Sequence, residues 1–529
     1  RRPPRSTPKP SSAASDVYKR QPKPHTMSYS QLVWFKKDLR IKDHSPLYQA
    51  SKNGKCLCLF VYEDEIISAD DFDTRHFNFL NQSLIDLRKK LKELGGDLII
   101  RKGECVEVLR KLHDEHPFET IWAHQETGNW ISYQRDLRVL SWAKETGIQY
   151  KEFYQNGVIR KLNTRDGWSR IWNQRMNEKI IATPSSIHSP ENIDYGEILS
   201  PNNFDLNSTT NTKGLLGGET HAKQCLETFL SDRGKNYQKE MSSPVTAFDS
   251  CSRMSSYLTF GNISIKEVYQ TSKERADQIR LNKSKSSQED KGWLKSLSSF
   301  QSRLRWHCHF IQKLEDEPEI EHQNINKAYD GLREESFNSE YFEAWLKGQT
   351  GYPIIDACMR ALKDGGWINF RMRAMLVSFT SYHLWLHWKK PAIELARLFT
   401  DYEPGIHYSQ IQMQAGVTGI NTVRIYSPIK QVTDQDPQGI FIKSYLPELN
   451  SVPDHHLAEP HKMTQLEQSM YGCVIGKNYP HPIVNHAEAY KTARDRIHSI
   501  KKMKSTKEES KKVFLKHGSR KSNRRPVRA

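Results

Sequence analysis

The strongest constraint on this chain is a change of hydrophobic period near residue 217. Before it, short apolar runs alternate with helical patterns. QLVWF (31–35), KCLCLFVYE (55–63), DLIIRKG (97–103), ETIWAHQ (119–125) and IQYKEFY (148–154) read as strands. Between them, Phe77, Leu80, Leu84, Leu87, Leu91 and Leu94 recur at three- and four-residue steps, the spacing of one helix face. ECVEVLRKL (104–112) and Trp130–Thr146 read as further helices. Strands that alternate with helices predict a doubly wound parallel sheet. No GxGxxG follows the first strand, so the dinucleotide fingerprint is missing, although the switch point of such a sheet is still a place for a small ligand.

After Gly217 strand patterns nearly vanish. HAKQCLETFLSD, ISIKEVYQTSKERADQIR, GWLKSLSSFQSRLRWHCHFIQKL, DACMRALKDGG and FRMRAMLVSFTSYHLWLHW all carry helical spacing. A mainly α domain follows, large enough to enclose a sizeable ligand. The expected organisation is an α/β domain over 27–185, a Ser/Asn/Pro/Thr-rich connector over 186–216, a helical domain over 217–500 and a basic, disordered tail over 501–529. Residues 1–26 have almost no apolar content and precede Met27, so they read as a non-native or disordered segment.

Charge and cysteine narrow the class. The formal charge is +17, but residues 1–26 hold +6 and residues 501–529 hold +10, which leaves +1 for 27–500. A polyanion site in the body is therefore a local patch. The basic tail itself is read as a solvated segment, with a phosphate arm or an import signal as the functional alternative. The eight cysteines are scattered without CxxC, which suits free thiols in a reducing compartment. His307-Cys308-His309 is a poor metal site, because neighbouring side chains on a helix diverge by about 100°. No metal and no membrane span are expected.

Seven blocks in order carry a resemblance: VWFKKDLRIKDHSPL (33–47), GGETHAKQCLETFL, SRMSSYLTFGNIS, RLRWHCHF, GQTGYPIIDACMRAL with GGWINFRMR, RIYSPIKQ, and DPQGIFIKSYLPEL. Over roughly 27–500 the chain resembles the DNA photolyase/cryptochrome family. The resemblance implies an α/β antenna domain and a helical domain that holds FAD in a folded U shape. Tyr237 and the run Cys251, Ser252, Arg253, Met254, Ser255 would grip the FAD phosphates, with Cys251 where the family usually has threonine. A thiol is a poorer donor than a hydroxyl. Arg373 would pair with Asp401 beside the flavin ring, and Glu403 takes a position that is usually aspartate. His407 lies where the family places the residue nearest flavin N5; it could instead face substrate or sit in a surface loop.

On the substrate side the resemblance implies ultraviolet-damaged DNA as partner and a pocket for a flipped dipyrimidine. Trp306 matches the stacking tryptophan. Arg303, His307, Asn369-Phe370 and Met413 depart from the common pocket residues, Arg371 stands beside Phe370, and Gln431 fits a position that touches DNA. Of the family's three electron-carrying tryptophans only the middle one is present, as Trp388; the inner position is Ile411, and the outer falls near Glu335. Trp385, three residues before Trp388, is read as lying on the same helix face. A second antenna chromophore is left open, because Ser132 stands where a folate-contacting glutamate is usual. The implied activity is light-driven splitting of cyclobutane pyrimidine dimers by reduced FAD, in a carbon–carbon lyase acting as a monomer. A signalling cryptochrome and repair of the (6-4) photoproduct are the alternatives. The implied location is the cytoplasm and nucleoid of a bacterium, or the nucleus of a eukaryote by way of the basic tail.

Overall fold

The computed structural model describes residues 30–206, 214–281, 288–335 and 337–519. Segment 1–26 and residues 520–529 of the tail lie outside the described residues. Five strands, β1 (Ser30–Phe35), β2 (Cys56–Tyr62), β3 (Leu98–Lys102), β4 (Phe118–His124) and β5 (Gln149–Phe153), form one parallel sheet in the order β3-β2-β1-β4-β5. Val33 of β1 pairs with Cys58 on one side and with Trp122 on the other. Successive strand residues point to opposite faces. Val33, Phe35 and Cys58 therefore pack with Leu47 and Ala50 of α1 (Ser45–Asn53) and with Leu84, Leu87 and Leu91 of α2 (Thr74–Glu93). Leu32, Trp34 and Leu59 pack on the other face, with Leu109 and Leu112 of α3 (Cys105–Glu115) and Val139 and Trp142 of α4 (Trp130–Thr146). Burial on both faces explains the continuous apolar runs of β1 and β2.

The connector runs along this domain. Ile187 N–H donates to Leu94 O (2.7 Å), and Ile100 N–H donates to Tyr195 O (2.8 Å). The helical domain then builds two cores around α5 (Ile265–Leu281), α6 (Gln288–Asp316), α7 (Pro353–Gly365), α8 (Phe370–Ser378), α9 (Lys389–Leu398) and α10 (Pro404–Ala415). Two glycines set close approaches. A Cβ on Gly405 would lie 2.6 Å from Ile311 Cα, where α10 crosses α6. A Cβ on Gly261 (φ +66°) would lie 2.2 Å from Lys37 O, where the helical domain meets the loop after β1.

The domains are tied by side chains that finish helix ends. Arg75 on α2 donates to Leu362 O (2.9 Å) and Leu398 O (3.1 Å), carbonyls at the ends of α7 and α9. The switch point between β1 and β4 is closed by the helical domain. Lys37, Glu126, Gln155, Gly261, His307 and Glu403 line a space of only about 30 Å³ there, so the crevice expected from the sheet topology admits little more than a water.

Two sequence expectations are corrected. Residues 501–517 are not a disordered tail: α12 (Lys504–His517) follows α11 (His486–Lys502) and buries Thr506, Val513 and His517. Glu317 receives His517 Nε2 (2.6 Å) and Lys516 Nζ (2.9 Å), and Asn326 donates to Ser510 Oγ (3.0 Å). Lysines hide this amphipathic docking from a reading by composition. Trp385 and Trp388 do not share a helix face either. The helix widens to a π-turn over Phe379–His383 and ends, and Trp385 adopts φ +53° outside any helix.

Candidate functional site

α8 and α10 create the cavity. Along α10, His407, Gln410, Ile411 and Gln414 fall at steps of three, one and three, so their side chains share one face. Along α8, Phe370, Arg373, Ala374 and Val377 do the same. These two faces, closed by Phe399, Asp401, Tyr402 and Glu403, bound a cavity of about 90 Å³, three times the space at the switch point.

Arg373 is fixed at three points. Nη1 and Nη2 donate to Asp401 Oδ1 and Oδ2, both at 2.9 Å, and Nε donates to Ile368 O at 2.8 Å. Its guanidinium carbon lies 4.2 Å from the Phe399 ring centre. The fork geometry is the strong form of this pair. Burial works to raise Asp401, but the Arg373 charge and hydrogen bonds outweigh it and hold the carboxyl below its ordinary value. Glu403 has no such partner. Burial pushes it up to about 7, and its Oε1 is buried without a hydrogen bond among the described residues. Two carboxylates two residues apart are thus held in different states.

His407 is buried on α10 and is not a loop residue. Its Nε2 bonds to Ala392 O at 2.8 Å. A carbonyl only accepts, so the proton sits on Nε2 and Nδ1 keeps a lone pair. Burial pushes His407 down to about 4, so the ring is neutral near pH 7. Its ring centre lies 5.1 Å from that of Tyr402 and 5.2 Å from that of Tyr408. Tyr402 in turn donates its hydroxyl to Asp71 Oδ2 (2.5 Å).

A second group of residues surrounds the Cys251–Ser255 turn. The charges of Arg253, Arg233, Arg373 and Arg303 all bear on Cys251, although burial dominates and pushes its thiol up to about 12. Arg233 ties the turn by donating to Asp249 O (2.8 Å) and Cys251 O (2.7 Å). Arg253 stacks 4.1 Å from the Trp367 ring, and its Nε is buried without a partner. Ser252 Oγ caps Met254 N–H weakly (3.4 Å), and Ser255 bonds to Asp401, which links this turn to the cavity. Tyr237 is buried nearby and is pushed up to about 12 by burial. Only Asp401 among these groups supplies a negative charge, and Arg373 already uses it. The surplus of guanidinium suits an anionic ligand.

The other predicted positions separate. Phe370 lines the cavity, 49 % exposed at its rim. Arg371 and Gln431 line a neighbouring groove. Trp306 is 39 % exposed on α6, packed on His309 and Phe310, and Arg303 is exposed. His307 lines the small crevice against the α/β domain, and neither His307, Trp306, Arg303 nor Met413 is part of the cavity wall. Trp388 is buried, donates Nε1–H to Asn324 Oδ1 (2.7 Å), and its ring lies 6.3 Å from Tyr408. Trp385 is gripped between Arg333 (4.5 Å) and Arg496 (4.9 Å). Ser132 serves as a helix-start residue, its Oγ donating to Asn129 O (2.9 Å).

Tyr402, Gln410 and Gln414 were missed in the sequence. The signal was present for the glutamines, because two amides at the spacing of His407 on a helix with buried neighbours need partners. A different cluster, Asp38, His44 and His124, brings its donor atoms within 4.8 Å of one another. Leu47 N–H donates to His44 Nδ1 (3.0 Å), so His44 Nε2 carries the proton that goes to Asp38 Oδ2 (2.9 Å). Lys36 N–H donates to Asp38 Oδ1 (2.7 Å). With these bonds made, the cluster serves as a polar anchor for the start of α1.

Comparisons with known proteins agree with this division. Residues 31–166 match the family described as DNA photolyase, and residues 300–499 match the FAD binding domain of DNA photolyase. The chain is 27 % identical over 486 residues to a deoxyribodipyrimidine photo-lyase of Alkalihalophilus pseudofirmus, covering 87 % of this chain and 96 % of that one. It is 27 % identical over 485 residues to a cryptochrome DASH of Gloeobacter violaceus, covering 86 % and 93 %. In fold it is similar to a class III photolyase from Agrobacterium tumefaciens, with a TM-score of 0.79, 24 % identity, and 92 % and 100 % of the two chains covered.

Proposed function

The chain belongs to the photolyase/cryptochrome family and carries its FAD-binding domain, and from that premise we propose that it is a light-driven DNA photolyase acting on cyclobutane pyrimidine dimers. The observation that carries the proposal is the cavity between α8 and α10, where the Arg373–Asp401 fork stands beside buried groups that lack partners. Among the described residues, Glu403 Oε1 and Gln410 Oε1, both in the cavity wall, have no protein hydrogen bond. A buried polar atom left unpaired costs roughly 1–3 kcal/mol, so the site is built for a ligand that supplies the missing donors and acceptors.

The donor set fits FAD. Arg253, Ser252 and Ser255, with Tyr237 beside them, would hold the anionic diphosphate end. Asp401, Glu403 and the amides of Gln410 and Gln414 would hold the polar edge of the ring. When bound and reduced, FAD supplies one electron to the lesion on absorbing light and receives it back. The protein's share is position and polarity. Arg373 brings a fixed positive charge toward that ring and stays in register because Asp401 and Ile368 O hold it. His407 offers only an acceptor at Nδ1 and brings no charge near neutral pH. Val377, Ile406 and Ile411 keep water from the inner wall. Phe370 at the rim offers a face against which an unstacked base can rest.

The test uses the purified, photoreduced protein with ultraviolet-irradiated thymidine oligomer under blue light. Recovery of base absorbance with loss of the cyclobutane dimer is the expected result. No reversal under light that does reduce the flavin would overturn the repair assignment in favour of signalling. Reversal of only the (6-4) lesion would move it to that substrate.

A further inference from the structure

Three separate segments converge on a hydrogen-bonded chain of side chains that is no part of the flavin cavity. Ser427 caps the start of the helix Pro428–Gln435, His486 is the first residue of α11, and His383 closes the π-turn after α8. Ser427 Oγ lies 3.2 Å from His486 Nε2, and His486 Nδ1 lies 2.9 Å from His383 Nε2. We propose that Ser427, His486 and His383 act as nucleophile, base and orienting group in a second, light-independent activity of this protein: hydrolysis of small carboxylic esters whose alcohol part is aromatic and anionic.

A serine nucleophile needs an acceptor nitrogen within hydrogen-bond reach and a third group that holds that ring in place. The His486 and His383 ring centres are 5.1 Å apart and their planes differ by 12°. Two rings joined nitrogen to nitrogen at 2.9 Å reach that separation only when the bond runs in line from ring to ring. Ser427 Oγ already accepts from Lys430 N–H (3.3 Å), so its own proton is available to His486 Nε2. In that arrangement His486 carries its proton on Nδ1 and donates it to His383 Nε2. Burial pushes His383 down to about 3, so it stays a neutral acceptor for the imidazolium that forms when His486 takes the serine proton. The reaction is acyl transfer. Oγ bonds to the ester carbonyl carbon, the bond from that carbon to the alcohol oxygen breaks, and His486 passes the proton to the leaving oxygen. A water molecule then releases the acid by the same route and restores the hydroxyl.

The substrate class follows from the walls. Ser427 and His486 open into a groove of about 650 Å³, lined also by Arg371, Arg424, Tyr426 and Tyr490, with no carboxylate among its lining residues. The guanidiniums attract an anionic group, and the phenols offer faces to an aromatic one. Arg371 Nε is buried without a hydrogen-bond partner among the described residues, and it offers a donor for charge that develops on the carbonyl oxygen. A chain of hydrogen bonds that only braced α11 would need no such opening at its hydroxyl.

The test is run in the dark on the full, FAD-loaded chain. Para-nitrophenyl acetate and its carboxylate-bearing analogue are the substrates, and diisopropyl fluorophosphate is the covalent probe. The expected result is labelling of Ser427, located by peptide mass, and hydrolysis with kcat/KM about fivefold higher for the anionic ester, the size of one exposed ion pair. Ser427→Ala should abolish the labelling and lower kcat about a hundredfold, with FAD content per chain unchanged. His383→Leu should slow labelling, and His383→Gln, whose amide oxygen still accepts from His486 Nδ1–H, should restore most of the rate. Labelling elsewhere than Ser427, or hydrolysis unchanged in Ser427→Ala, would overturn the proposal. Equal slowing in the two His383 variants would overturn the orienting role, and equal kcat/KM for the two esters would overturn the substrate class. The labelled residue is read on the wild-type chain, so it decides the question even where a variant folds poorly. The assay needs neither light nor DNA, so its failure would leave the photolyase reading untouched.

Discussion

The two domains spend buried charge in opposite ways. In the α/β domain most buried ions are paired with one another, although Glu63 Oε2 and Arg40 Nε keep no hydrogen-bond partner among the described residues. Lys36 meets Asp136 at 2.9 Å, and Arg135 meets Asp136 at 2.8 Å, Glu126 at 2.5 Å and Glu63. In the helical domain the Arg373–Asp401 fork is complete, and around it Glu403, Gln410, Arg253 and Arg371 each keep a buried polar atom without a partner among the described residues. Both regions contain strongly shifted groups, so the shift alone does not mark a site. Unpaired buried atoms occur in both domains too; what singles out the helical site is that those of Glu403 and Gln410 line one cavity beside the Arg373–Asp401 fork.

Five substitutions break or sharpen this contrast. The largest effect is expected for Asp401→Asn. It strands Arg373 in the cavity wall, costs about 3 kcal/mol of stability as for other broken buried pairs, and lowers FAD retained through purification at least tenfold, read by flavin absorbance per protein. Asp136→Asn is its control. It should lower the unfolding midpoint in denaturant by a comparable amount yet leave FAD retention unchanged. Loss of FAD there would mean that the contrast between the domains is false.

Glu403→Gln should act with the opposite sign. The folded protein binds the Glu403 proton up to about pH 7, above the ordinary carboxylate value of 4.5. Its contribution is therefore fully present below pH 4.5 and is lost as pH rises through 7. Above that, the amide avoids the buried charge, and the FAD-free variant should be more stable than wild type at pH 8 by up to about 3 kcal/mol. Stability curves that coincide at pH 5 and pH 8 would contradict this. The smallest change in stability, with a clear kinetic readout, belongs to the indoles. Trp388→Phe should slow light-driven reduction of the flavin several-fold, because Trp388 connects through Tyr408 to His407 in the cavity wall. Trp385→Phe should not, since an oxidised ring between two guanidiniums is electrostatically disfavoured. Equal slowing in both variants would reject the distinction.

Much of this is legible in the sequence. The alternating strands of 31–154, the helical remainder and the Arg373–Asp401 pair follow from period and family blocks. What was not legible depends on backbone detail that side-chain spacing does not encode. A π-turn at Phe379–His383 ends the helix before the two indoles, and Trp385 sits at φ +53° outside it. A lysine-rich composition hides Thr506, Val513 and His517, three inward residues of an otherwise exposed helix. Gln410, Gln414 and Tyr402 became site residues only when Glu403 and His407 were seen to share their wall. Trp306 carried the family match but lies outside that wall, since its helix face is taken by His309 and Phe310.

The claim that unites these points is that the unpaired groups between α8 and α10 exist for FAD. The direct measurement is the FAD bound per chain after purification and after titration of the FAD-free protein, compared between wild type and Asp401→Asn. The account predicts equimolar FAD on the wild type, with quenching of flavin fluorescence, and little on the variant. A well-folded wild-type chain that takes up no FAD, or a variant that holds it equally well, would contradict the account.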